Sequence, residues 1–84
     1  VQALDVIVGA FLAELEKMGE LDRTIVVLTG DNGVPGFPRG KCNLYDLGVR
    51  APLMIRWPAG ARAGHSVEDF VNLMDLAPTL LEAV

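Results

Sequence analysis

Thr24-Ile-Val-Val-Leu-Thr-Gly-Asp-Asn-Gly33 decides how the chain is read. Its first six residues are continuously apolar or β-branched, without the alternation of a strand that faces water on one side. That pattern predicts a strand covered on both faces, as in an α/β sheet. The run stops abruptly at Gly30-Asp31-Asn32-Gly33. In open α/β sheets, ligands gather beyond the carboxyl ends of strands, and the loop leaving there can carry polar groups on a rigid base.

Before this strand, Leu4, Ile7, Val8, Phe11, Leu12, Leu15 and Met18 recur at steps of three and four. They mark the apolar stripe of an amphipathic helix, with Asp5, Glu14, Glu16 and Lys17 off the stripe. Seven apolar positions at this spacing are expected to be core, and Gly19 supplies the stop. Helix, short connection and buried strand make half of a βαβ unit.

After the strand the periodicity is lost. Residues 30–48 hold five glycines and two prolines, and Phe37, Leu44 and Tyr45 give the stretch apolar anchors. An irregular segment of this length inside a compact domain is usually functional or disordered, and the anchors favour function. Pro52-Leu-Met-Ile-Arg-Trp-Pro58 then reads as a second strand bounded by prolines. Residues 59–66 are a turn-rich connection, and 67–73 are expected to hold a short strand. Asp75 is the expected N-cap of a last helix over 76–84, with Pro78 in its first turn. The expected order is helix, strand, long loop, strand, short strand, helix.

Composition limits what such a chain does. Of 84 residues, 51% are hydrophobic and 21% charged, and Cys42 is the only cysteine, so no disulfide can compensate for a small core. With Val1 already inside the helical pattern, this richness in apolar residues points to a piece of a larger domain whose strands are covered by other chain. The net charge of −4 argues against a general nucleic-acid partner. No apolar run approaches the ~20 residues of a membrane-spanning helix. Five of the seven basic residues (Arg39, Lys41, Arg50, Arg56 and Arg62) fall within 39–62, opposed there only by Asp46. One basic segment in an acidic chain suits a small anionic ligand, although any single arginine there reads better as a solvated loop residue.

Three residues could carry chemistry. Asp31 and Asn32 place a carboxylate and an amide oxygen side by side between two glycines, a donor pair suited to calcium or magnesium. No nitrogen or sulfur donor adjoins them, which disfavours zinc. Two ligands do not complete a site, and taken alone Asp-Asn-Gly is also a common turn. Lys41, on the glycine-rich loop, is a compact charge able to neutralise a sulfate or phosphate oxygen and to stabilise a departing group. A solvent-facing lysine is the plain alternative. His65 has no partner pattern, Cys42 lacks the histidine and carboxamide or carboxylate that serve a thiolate, and Tyr45 and Trp57 read as packing residues.

In combination these blocks resemble the sulfatase family. Thr24 to Gly33 is similar to the sulfatase strand ending in Ser/Thr-x-Asp-Asn/His-Gly. Gly40-Lys-Cys-Asn-Leu-Tyr-Asp-Leu-Gly-Val-Arg-Ala-Pro52 is similar to Gly-Lys-x-x-x-Tyr-Glu-Gly-Gly-x-Arg-x-Pro. Leu53 to Pro58 and Asp75 to Leu81 resemble further sulfatase blocks, in the same order and spacing. The resemblance implies an alkaline-phosphatase-like mixed sheet flanked by helices, of which residues 1–84 are a single partial domain from the C-terminal part of the catalytic domain. It implies calcium as the metal, with magnesium as the alternative, and Asp31 and Asn32 among its ligands. It also implies Lys41 as a catalytic and sulfate-binding residue, and Tyr45 and Arg50 as loop architecture. The family's nucleophile is a formylglycine made from Cys or Ser in Cys/Ser-x-Pro/Ala-x-Arg. Cys42, followed by Asn43-Leu44-Tyr45, does not match it, so the nucleophile is expected upstream and the isolated segment is expected to be inactive. The implied partners are a sulfated small molecule or glycan and the rest of the catalytic domain. The implied compartments are periplasmic, secreted or lysosomal.

Two departures bear on the substrate. Asp46-Leu47 stands where arylsulfatases commonly carry Glu-Gly. Pro35-Gly-Phe-Pro-Arg-Gly-Lys41 resembles the Pro-Phe-Pro-Arg-x-Lys loop of the heparan N-sulfatase (sulfamidase) branch, with Gly36 inserted. A phosphoester or phosphonate hydrolase of the same superfamily is the second reading, which histidine at position 32 would favour and Asn32 does not. A purely structural unit without activity is the third.

Overall fold

The computed structural model describes residues 1–84. Helix α1 spans Gln2–Lys17. Its end follows from Gly19, whose φ of 71° lets the chain turn back. The Gly19 N–H then donates to the Glu16 carbonyl and the Glu20 N–H to the Leu15 carbonyl, each at 3.0 Å. This pair of bonds satisfies carbonyls that the last helical turn would leave open. A 3-10 turn at Leu21–Arg23 leads into strand β1, Val26–Thr29.

Strand β2, Leu53–Arg56, pairs antiparallel with β1, with Val26 opposite Arg56 and Thr29 opposite Leu53. The two form the whole sheet. At one end Arg56 donates to the Leu21 carbonyl and, at 2.9 Å, to the Asp22 carboxylate, tying β2 to the turn that precedes β1. At the other end the Gly30 N–H donates to the Pro52 carbonyl at 3.1 Å, and the Thr29 hydroxyl donates to the same carbonyl at 2.9 Å. The long connection between the strands therefore leaves and re-enters the sheet at one closed base.

Within that connection lies a one-turn helix, α2, Asp46–Val49. Helix α3 covers Leu76–Ala83 and is preceded by a 3-10 turn at Leu73–Asp75. The unit is α/β, as the pattern of apolar runs implies. No helix is long and apolar enough to cross a membrane.

Three expectations are corrected here. Residues 67–73 form no strand: the sheet consists of β1 and β2 alone, and the segment runs as open chain into the 3-10 turn. Asp75 occupies the N-cap position of α3, but its side chain makes no cap bond. That role falls to Asn72, whose side-chain oxygen accepts from the Met74 N–H at 3.0 Å, so the helical segment begins three residues earlier.

The third correction concerns the core. No apolar side chain is fully buried. Val8, Leu12 and Leu15 of the α1 stripe are half-buried, whereas Leu4, Ile7, Phe11 and Met18 are exposed. The chain supplies no second layer for them. Between α1 and the sheet an apolar cleft of about 270 Å³ is lined by Val8, Leu12, Val26, Leu28, Met54 and Ile55. The radius of gyration is 15.0 Å, against about 12 Å for a compact domain of this length.

Candidate functional site

The deepest burial in the chain lies in the irregular loop. The three buried residues of the chain are Gly33, Gly40 and Gly48. The Gly33 N–H donates to the Gly48 carbonyl at 2.9 Å. The two backbones approach so closely that a Cβ on Gly33 would strike the Leu47 carbonyl oxygen and the Gly48 Cα. A Cβ on Gly48 would strike the carbonyl oxygens of Asn43 and Gly40. Only glycine allows this crossing, which gives a steric reason for Gly33 and Gly48 in the loop.

The crossing organises the candidate residues. Asp31 and Asn32 sit between the strand base, fixed at Gly30, and the crossing, fixed at Gly33. One residue on, the Val34 carbonyl accepts from the Lys41 N–H at 3.1 Å, which draws the Lys41 backbone beside the stretch that leaves Asn32. The structure thus brings the sequence-predicted residues onto one loop with neighbouring backbones. No ion pair joins Lys41 to Asp31.

The chemistry of these side chains is open. The Asp31 carboxylate and the Lys41 ammonium are exposed and Asn32 is half-buried. No hydrogen bond or ion pair within the chain engages any of the three. Two unengaged oxygen donors on a fixed loop fit a hard cation as part of its ligand set. They are not a whole set, since no three His, Cys, Asp or Glu side chains converge anywhere in the chain. Lys41 has its full charge available for an anion.

The backbone around Lys41 is unusual. Arg39 has φ 62° and Cys42 has φ 72°, the left-handed region that residues with a Cβ seldom occupy. Each such residue costs on the order of 1–3 kcal/mol unless its surroundings hold it. Here the Gly40 N–H donates to the Phe37 carbonyl at 3.0 Å, and the Asn43 N–H donates to the Gly40 carbonyl at 3.1 Å. The Arg39 guanidinium lies over the Tyr45 ring, 4.9 Å from its centroid. Tyr45, expected as loop architecture, here meets Arg39, a contact not expected from the sequence. The aromatic-basic pair six residues apart was the available signal. Helix α2 was also missed, because one turn is too short to show periodicity; the N–H groups of its last two residues donate to the Tyr45 carbonyl, Gly48 at 2.7 Å and Val49 at 3.0 Å. His65 and Arg62 lie on the exposed turn away from these contacts.

Comparison with known proteins adds a separate line of argument. Residues 1–84 match the sulfatase family. The chain is 45% identical over 76 residues to N-sulphoglucosamine sulphohydrolase of Homo sapiens, covering 89% of this chain and 15% of that protein. It is 42% identical over 77 residues to the ulvan-active sulfatase of Formosa agariphila, covering 92% of this chain and 13% of that protein. It is 40% identical over 85 residues to the N-acetylglucosamine-6-O-sulfatase of Bacteroides thetaiotaomicron, covering 98% and 15%. The chain thus spans about one-seventh of the length of these curated relatives. No solved structure gives a significant match. The α/β arrangement fits a segment of an alkaline-phosphatase-like domain, and with the match running from the first residue to the last, this chain belongs to the sulfatase family.

Proposed function

We propose that the parent enzyme is a calcium-dependent sulfatase that hydrolyses sulfate esters or N-sulfates, with residues 1–84 forming the C-terminal part of its catalytic domain. The match of the whole chain to the sulfatase family carries this reading. It is supported by the unengaged Asp31, Asn32 and Lys41 side chains on one braced loop.

In this reading Asp31 and Asn32 contribute oxygen ligands to the metal, and the remaining ligands come from upstream chain. When bound, calcium supplies positive charge against the sulfate oxygens. Lys41 donates its ammonium N–H to a sulfate oxygen and offsets the negative charge that grows on the departing oxygen or nitrogen. The nucleophile is a formylglycine outside these residues, because Cys42 lies in the wrong sequence context. The exposed apolar stripe of α1 and the open sheet face rest against the remainder of the catalytic domain, and the segment alone is inactive. The names of the relatives include both an N-sulphoglucosamine sulphohydrolase and a 6-O-sulfatase, which supports a sulfated glycan as substrate.

Mass spectrometry of the full-length protein tests the reading first. Formylglycine in a Cys/Ser-x-Pro/Ala-x-Arg peptide upstream of Val1 is expected. An unmodified Ser or Thr at the nucleophile position would overturn it in favour of phosphoryl transfer. Lys41→Ala in the full-length enzyme is expected to lower kcat/KM by about 100-fold or more, the usual scale for a lost charge-stabilising donor.

A further inference from the structure

The segment from Arg39 to Cys42 combines features that no sulfate-binding role for Lys41 requires by itself. Two residues bearing a Cβ adopt left-handed backbone, one on each side of the lysine. Both flanks are tied down: Gly40 is buried, the Lys41 N–H donates to Val34, and the Asn43 amide group donates to the Lys41 carbonyl at 3.4 Å. A side chain of the segment also reaches outside it: the Arg39 guanidinium lies over the Tyr45 ring. The Tyr45 backbone is itself fixed, since its carbonyl accepts the N–H groups of Gly48 and Val49 at the end of α2, and Gly48 belongs to the backbone crossing.

From this geometry we infer that Arg39 and Tyr45 are positioning residues for Lys41. The stacked pair holds the Arg39 backbone in its left-handed turn, and the turn sets where the Lys41 ammonium stands relative to the Asp31–Asn32 end of the loop. A cation above the face of an aromatic ring is attracted by the ring's negative face, and the planar guanidinium also fits against the ring. Tyr45 needs only its ring for this role, not its hydroxyl. Arg39 needs its charge on a planar head, and it does not touch the sulfate. The inference rests on the reading of Lys41 as the sulfate contact.

A double-mutant cycle in the full-length enzyme separates the two ideas. Tyr45→Leu, Tyr45→Phe and Arg39→Gln are each made alone and with Lys41→Ala, and kcat/KM and Tm are measured. Tyr45→Leu and Arg39→Gln are each expected to lower kcat/KM about tenfold, the scale of a modest misplacement of a reacting group, with Tm nearly unchanged. Tyr45→Phe is expected to stay within about twofold of wild type. In the Lys41→Ala background none of the three is expected to lower activity further, because they act only through the lysine. An equal loss in both backgrounds would overturn the inference, since it would mean that Arg39 or Tyr45 touches substrate or acts on the fold at large. Wild-type activity in both Tyr45→Leu and Arg39→Gln would overturn it too. Near-normal activity of Lys41→Ala alone would remove the functional reading and the inference together. If Tyr45→Leu does not fold, Arg39→Gln carries the same cycle, since it alters only an exposed side chain.

Discussion

Gly33 and Gly48 meet backbone to backbone, with the N–H of one donating to the carbonyl of the other at 2.9 Å and no room for a Cβ on either. Fifteen positions apart in sequence, they pin both limbs of the loop that carries Asp31, Asn32 and Lys41. Gly48→Ala would push a methyl group into the Asn43 and Gly40 carbonyl oxygens, which are backbone and cannot rotate away. In the full-length enzyme we expect this substitution to cost about 2–4 kcal/mol, in the range of severe overpacking. Thermal unfolding would read the loss, and activity should fall with it. An unchanged Tm would show that the crossing yields.

Gly9 gives the opposite expectation. It lies in the middle of α1, and nothing stands within 4 Å of the position a Cβ would take. Gly9→Ala should stabilise the helix by roughly 0.5–1 kcal/mol, through the lower conformational entropy of alanine in the unfolded chain and its better helix propensity. A chemical-denaturation midpoint that moves upward would confirm it.

The Arg56 contacts are unequal partners. Asp22 is 88% exposed at its side chain and its ion pair with Arg56 is open to water, so Asp22→Ala should change stability by less than about 1 kcal/mol. Arg56→Ala also removes the donor to the Leu21 carbonyl and the aliphatic stem that packs at the sheet end. It should be the more destabilising of the two by denaturant titration.

Metal content tests Asp31 and Asn32 without reference to turnover. Asp31→Ala in the full-length protein should lower calcium affinity more than Asn32→Ala, because a carboxylate contributes charge as well as an oxygen. Calorimetric titration of calcium into the metal-free protein, with retained ion measured by atomic spectroscopy, gives the order directly. Affinities unchanged from wild type in both variants would remove these residues from the metal.

Residues 1–84 produced alone should associate. Leu4, Ile7, Phe11, Phe70, Met74 and Leu81 are exposed, and both outer edges of the two-stranded sheet are free. Apolar patches and unpaired edges of this kind seek partners. Sedimentation velocity across a concentration series should show species heavier than 9.0 kDa; a monodisperse monomer at high concentration would contradict the expectation.

The strands and the first helix were legible because period and β-branching act locally. The run from Val26 to Thr29 favours a strand through its β-branched side chains, and Gly19 marks a stop. The family was legible because Asp31-Asn32, Gly40-Lys41, Arg50-Ala-Pro52 and Asp75 to Leu81 occur in order. What escaped depends on contacts between distant positions. Nothing in Gly33 or Gly48 alone announces that the two will cross, and the left-handed turn at Arg39 has no local cause, since arginine does not favour it. The stacking on Tyr45 becomes visible only once the loop has folded back. The short strand expected over 67–73 failed for the complementary reason: a run of suitable residues forms a strand only if a neighbour offers its hydrogen bonds. Burial of the α1 stripe failed likewise, because amphipathicity states which face wants cover but does not provide it.

The closed base at Thr29, Gly30 and Pro52 has a consequence for how such a loop changes over time. Because the hydrogen bonds at Pro52 fix the span between the loop's two ends, residues added inside it shift neither strand's register. Lengthening a loop whose ends are already joined is cheap in chain entropy, about 0.6 kcal/mol for a doubling. The arm can therefore gain or lose residues while the hairpin beneath it stays the same size. The arm is free to change in sequence while Asp31 and Asn32, one and two residues from the base, stay where the sheet puts them.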